Sequence, residues 1–233
     1  MNKIEREDIY IISRHSNLTE QEITELLKED VFNDRSAWEK FLRLFFIVLG
    51  IGFTVAGIVF FFAYNWADLH KFVKIGLAEG LIIATTVLVL IPGIHISVRN
   101  IILTGAAVLV GVLFAVFGQI YQTGADAYDF FLAWTVFITL WVLVSNYAPL
   151  WLLYLILINT TLLMYADQVA EDWSGVFVCT LLFMVNGAAL LISILQSRYI
   201  NKVAVPLWFS NIVALAAATF ATAGVVFWIF DEV

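Results

Sequence analysis

The chain has 233 residues, of which 62% are hydrophobic and only 13% are charged. A soluble domain averages about 45–50% apolar and about 25% charged residues, so no soluble core of this length could bury so much apolar surface. The formal net charge is −7, and the absence of a one-signed basic patch excludes a nucleic-acid partner. The lipid bilayer is therefore the expected solvent for most of the chain.

The first 40 residues differ from the rest because they are polar and carry charges of both signs. Ser36 with Glu39 forms a capping-box pattern, which predicts a helix N-terminus directly before the first apolar run. We therefore predict a cytoplasmic amphipathic helical segment over residues 1–40. A continuous helix should run from about Ser36 to about Tyr64, with its first turns in water.

The remaining residues, 41–233, contain seven apolar runs, and a transmembrane helix needs about 20 such residues. The predicted spans lie near residues 42–64, 72–91, 101–120, 130–144, 150–164, 176–195 and 207–230. The fourth and fifth runs are short and nearly adjacent. Loops that carry Lys or Arg stay cytoplasmic, and the basic loops share one side only if both runs span. The sequence thus predicts an all-α polytopic bundle of about seven spans, with the N-terminus inside and the C-terminus outside.

Two stretches interrupt the apolar pattern with polar side chains. The first runs from Phe62 to Glu79, and the second runs from Gly118 through Asp126 to Trp134. In the predicted topology both stretches lie at the outer face, so four helix ends would meet in one polar layer. We predict a binding site there for a small polar molecule or a proton. Its candidate ligand-binding residues are Glu79, Gln119, Tyr121, Gln122, Asp126, Asn65, Trp66 and Lys74.

Glu79 is the most informative of these residues, because it lies about 8 Å deeper than Lys74 at ~1.5 Å per helical residue. An intramembrane carboxylate is expensive and is a functional-site hypothesis by default. Lys74 lies about 140° away around the helix, so the expected partner of Glu79 is Gln119, Tyr121 or Asn65. The alternative is a structural role, in which Glu79 ties helices together.

Other polar and small residues have plainer interpretations. Trp134 and Tyr121 fit an interfacial aromatic belt, and Asp126 fits the capping of the fourth helix. Small residues that would allow close helix packing are Gly50, Gly57, Gly105, Ala107 and Gly111. Polar residues within other spans, expected to hydrogen-bond between helices, are Asn159, Asn186 and Asn211.

Catalytic and metal-binding signatures are missing from the sequence. The three histidines lie in separate regions without metal-ligand spacing, and there is no nucleophile motif or phosphate-binding glycine loop. We therefore expect no metal and no cofactor, and an intramembrane enzyme acting on a lipid has the least support. The main alternative to a binding, sensing or transport-type protein is a structural module. Such a module would dock a cytoplasmic or membrane protein through its N-terminal helices.

The two polar stretches, written FAYNW…K…AEG and GQIYQTGAD…W, resemble the hallmarks of the DUF2157 family of bacterial predicted membrane proteins. The resemblance covers about Leu18 to Gln196, and the stretch from Gly118 to Asp126 is the more specific part. It implies a multi-pass protein of the bacterial cytoplasmic (inner) membrane and implies little about activity. The candidate family residues are Asn65, Lys74, Glu79, Gln119, Tyr121, Gln122 and Asp126.

Overall fold

The computed structural model describes residues 19, 35–64, 69–121, 124, 126–170, 172–199 and 205–230. Within these residues it contains seven helices and no strand. They are α1 (Arg35–Tyr64), α2 (Lys71–Leu90), α3 (Ile96–Tyr121), α4 (Ala127–Ser145), α5 (Ala148–Gln168), α6 (Gly175–Tyr199) and α7 (Leu207–Phe230). Each helix is long and apolar enough to cross a membrane. The predicted all-α bundle of about seven spans is confirmed, and the chain is a multi-pass membrane protein.

A two-residue turn separates α4 from α5. These two helices correspond to the short fourth and fifth apolar runs, which the sequence distinguished least clearly as separate spans. Asn146 takes a left-handed conformation with φ 43°, which asparagine tolerates better than most residues, and Pro149 stands in the first turn of α5. Tyr147 packs against the core at this turn, and burial raises the pKa of its phenol. Both runs are therefore separate helices, and the short turn makes them antiparallel neighbours.

The chain divides into two compact units, Met1–Gly50 and Ile51–Val233. In the first unit, the start of α1 carries a ladder of rings in which Phe41 contacts Trp38 and Phe45 at centroid distances of 5.7 and 5.9 Å. The predicted amphipathic segment before Arg35, apart from residue 19, lies outside the described residues.

The core of the second unit forms around α3, which packs against α2 on one side and α4 on the other. Val110 of α3, Ile138 of α4 and Leu150 of α5 are completely buried. Since lipid tails are as apolar as these side chains, close packing rather than the hydrophobic effect holds the helices together. The centre of the bundle is therefore where a change of side-chain volume should have the largest effect.

The joint between α3 and α4 is built on a glycine and a tryptophan. A Cβ atom added to Gly111 would lie 2.5 Å from ring carbons of Trp134, so only glycine lets the indole lie against α3. The indole Nε1 donates a hydrogen bond to the backbone oxygen of Ala107 at 2.8 Å. Because α4 begins at Ala127, Trp134 lies about 10 Å into the helix, and it packs against the core. Its place in an interfacial aromatic belt stays a prediction.

The other predicted close-packing glycines fall into two groups. A Cβ added to Gly105 would lie 2.8 Å from Cγ2 of Ile51, so the second half of α1 approaches α3 closely at this glycine. No described atom lies within 4 Å of the Cβ position of Gly50 or of Gly57. Close packing is thus confirmed for Gly105 and not for the two glycines of α1.

Two asparagines join α5 to α6. Asn186 Nδ2 donates to Asn159 Oδ1 at 2.7 Å, and Asn159 Nδ2 donates back to Asn186 Oδ1 at 3.2 Å. Each amide also donates to the backbone of its own helix, to Leu182 and Leu155 respectively. The predicted interhelical hydrogen bonds are confirmed for this pair. The prediction is wrong for Asn211, which faces outward and hydrogen-bonds to no described residue because its position on α7 points away from α6 and α5.

Candidate functional site

A stripe of buried residues on α2 faces α3 and contains one charged side chain. The buried residues of this helix are Lys74, Ala78, Ile82 and Val89, which helical geometry places along one side. Lys74 is only 8% exposed and is the one charged side chain that is buried among the described residues. The fold therefore turns an ammonium group toward the interior of the bundle.

Lys74 lies level with the last turn of α3. Its chain neighbour Ile75 packs in the same apolar cluster as Ile120 of α3, which sets the relative depth of the two helices. Gln119 and Tyr121 flank Ile120 in that turn, and both side chains are exposed. Three of the predicted site residues thus lie at the same end of the α2–α3 pair.

The connection from α3 to α4 adds Asp126 to the same end. Gly124 has φ +66°, a conformation that glycine adopts without strain. Asp126 stands at the N-cap position of α4, and its backbone oxygen accepts from the N–H of Asp129 at 3.2 Å. Its carboxylate makes no capping hydrogen bond, so the predicted side-chain cap is wrong. The group is exposed and stays available at the rim of the site.

Glu79 lies on a different side of α2. Its side chain is exposed, and it makes no hydrogen bond or ion pair with any described residue. The two ionisable groups are about 140° apart around the helix, so burying Lys74 turns Glu79 outward. Gln119 and Tyr121 therefore do not pair with it. Three further predicted site residues lie outside the described part of the chain: Asn65, Trp66 and Gln122.

Contacts between α4 and α5 hold the rim in place. The backbone N–H of Tyr128 donates to Oε1 of Gln168 at 3.1 Å, and the ring of Tyr128 lies 5.3 Å from that of Tyr165. Tyr165 in turn contacts Trp173, with ring centroids 5.4 Å apart. No pattern in the sequence predicts these contacts, because they depend on the register of the hairpin. They fix the start of α4 and with it the position of Asp126.

Two lysines at this end of α2 differ in their exposure to solvent. Lys71 is exposed, with its Nζ 5.3 Å from the ring centroid of Phe72, whereas Lys74 points inward. An ammonium group has three N–H donors, so Lys74 can hold a group of the chain and still donate to a carboxylate, phosphate or carbonyl oxygen. The sequence contains one indication that Lys74 is buried: it lies four residues before Ala78, and residues at this spacing share one face of a helix.

Comparison with known proteins gives one match. The family model described as a predicted membrane protein (DUF2157) matches residues 14–151. No curated protein and no solved structure matches the chain. The matched region contains α1 to α4 and both polar stretches and ends in the first turn of α5, so it includes every residue of the candidate site.

Proposed function

The chain belongs to the DUF2157 family of predicted membrane proteins, and from this premise we propose that it is a membrane-embedded protein that binds or senses a small anionic or polar molecule. The ligand enters from the outer face at the ends of α2 and α3. Lys74 supplies the charge, Gln119 and Tyr121 supply hydrogen-bonding groups, and Asp126 lies at the rim. The burial of Lys74 is the observation that carries this proposal.

The free-energy argument starts from what a lysine costs in a membrane span. A charged side chain at the centre of a span is unfavourable by about 2.5–3.5 kcal/mol on insertion scales, and the penalty is smaller near a helix end, where Lys74 lies. An apolar residue at position 74 would carry no such penalty. Lys74 lies about 4–5 Å past Lys71 along the helix. It is therefore about one helical turn inside the membrane and remains close to the interface. A ligand from the aqueous side can therefore reach the ammonium without crossing the bilayer.

Orientation and location follow from the charge distribution. We propose that the N-terminus is cytoplasmic and that the candidate site opens on the opposite side, in the bacterial inner membrane. Residues 1–43 and the loop with Arg198 and Lys202 carry nine of the twelve basic residues, and basic loops stay inside. The site would then face the extracytoplasmic solution, as a protein that samples external solutes requires.

The test replaces each lysine by a neutral side chain of similar length. Detergent-purified wild type, Lys74→Met and Lys71→Met are heated with acetate, glutamate or inorganic phosphate at millimolar concentrations. We expect at least one of these probes to raise the Tm of the wild type, because a ligand at 100 times its Kd stabilises by about 2.7 kcal/mol. Lys74→Met should weaken that binding at least tenfold, and Lys71→Met should change it less than twofold.

Two results would contradict the proposal. One is equal binding to wild type and Lys74→Met, which would place the ligand elsewhere. The other is a wild type that responds to none of the three probes while unliganded Lys74→Met is more stable than the wild type. In that case Lys74 would be buried without serving as an anion-binding group.

A further inference from the structure

Glu79 occupies the middle of α2 on a surface that the other described residues leave uncovered. It lies eight residues after Lys71 and eleven before Leu90, the two ends of the helix, and is therefore about 12 Å deep along the helix axis. The hydrocarbon core is about 30 Å thick, so this depth is well inside it. An outward-facing carboxyl group at this level meets acyl chains, which offer no hydrogen-bond partner.

The surface around Glu79 has the form of a helix-packing seam. Side chains spaced alternately four and three residues apart run along it, as in a left-handed helix pair: Phe72, Gly76, Glu79, Ile83, Thr86 and Leu90. All are exposed except Thr86, which is half-buried. No described atom lies within 4 Å of the Cβ position of Gly76, so a second helix can approach closely one turn from the carboxyl group.

A second copy of this chain fits that surface better than lipid does. Copies inserted with the same topology present Glu79 at the same depth, so a parallel α2–α2 contact places one carboxyl group against the other. A protonated carboxyl group both donates and accepts, and two carboxyl groups in one site share a proton rather than both ionising. A two-fold axis makes this contact self-complementary, which is the commonest form of protein dimer.

We propose that the Glu79 face of α2 is a dimer interface within the membrane, held by a proton shared between the Glu79 carboxyl groups of two copies. This interface is independent of the Lys74 site, because the two side chains point to different sides of α2.

The helix segments beside Glu79 carry no titratable side chain at its depth. Residues 51–63 of α1 and 100–120 of α3, the parts of the two helices beside α2 at this depth, contain no titratable side chain. On α2 itself the other charged groups are Lys71, at the end of the helix, and Lys74, on the buried side. The hydrogen bond between the two carboxyl groups therefore depends on Glu79 itself and on no neighbouring charge of these segments.

The experiment measures energy transfer between donor- and acceptor-labelled copies in phosphatidylcholine–phosphatidylglycerol liposomes, diluted stepwise with lipid. Wild type should associate. Glu79→Gln should associate as the wild type does, because an amide also donates and accepts. Glu79→Leu should weaken association at least tenfold. The matched control is Leu77→Ala, an exposed residue about 160° away around the helix, which should match the wild type.

Monomeric wild type at every dilution would overturn the proposal, and so would Glu79→Leu that associates as strongly as the wild type. Equal loss in Glu79→Gln and Glu79→Leu would also overturn it, because a hydrogen bond between identical groups survives the change to an amide. Far-UV circular dichroism and elution volume in detergent show for each variant that the bundle is folded.

Discussion

Gly111→Ala is expected to lower the free energy of unfolding by about 2–3 kcal/mol, near the upper end of what one extra methyl group costs in a well-packed core. The new Cβ would lie 2.5 Å from the indole ring of Trp134, so either the ring or α4 must move. Movement of the ring also strains its hydrogen bond to Ala107. Thermal unfolding in detergent measures the loss, and near-ultraviolet circular dichroism reports the displaced indole.

The matched control for this prediction is Gly118→Ala, seven residues further along the same helix. No described atom lies within 4 Å of the added Cβ there, and alanine is the better helix former, so this variant should be neutral or slightly stabilising. Trp134→Phe should cost less in the Gly111→Ala background than in the wild type, because the smaller ring relieves the clash. Wild-type stability and an unchanged indole signal in Gly111→Ala would refute the packing that places α4 on α3.

Asn186→Leu is expected to destabilise the bundle by about 2 kcal/mol. Asn186 is 2% exposed, and its loss removes both hydrogen bonds that it exchanges with Asn159. The remaining amide keeps its bond to its own helix but leaves its oxygen without a donor, and an unsatisfied buried polar group costs about 1–3 kcal/mol. Urea or thermal unfolding of the purified protein measures the change.

A double variant separates two free energies: the loss of stability when one amide is left unpaired, and the stability that the intact pair contributes. Asn159→Leu combined with Asn186→Leu should regain much of the stability lost by either single change, because replacing both partners leaves no unsatisfied group. The control is Asn211→Leu, an outward-facing asparagine whose replacement should be neutral or stabilising in an apolar solvent. Additive losses in the double variant would mean that the two amides do not act as a pair.

The amino-acid sequence was sufficient to predict the class of fold and the number of spans. The reason is that lipid cannot hydrogen-bond to the backbone, so a run of about 20 apolar residues in a membrane has to satisfy its own N–H and C=O groups as a helix. Even the short fourth and fifth runs followed from this rule together with the positions of Lys and Arg. The left-handed Asn146 and the proline after it then fit the tight turn that the sequence requires.

Only the tertiary structure decided which side of each helix faces inward. In a soluble protein the polar face of a helix marks the outside, but a helix in a membrane is apolar all round, because lipid and the protein interior are similar solvents. For that reason the sequence favoured Glu79 as the centre of the site, whereas packing against α3 buries Lys74 and turns Glu79 outward. The packing of Trp134 against Gly111 could not be predicted either, because it depends on the register of α4 relative to α3, and no pattern within either helix records that register.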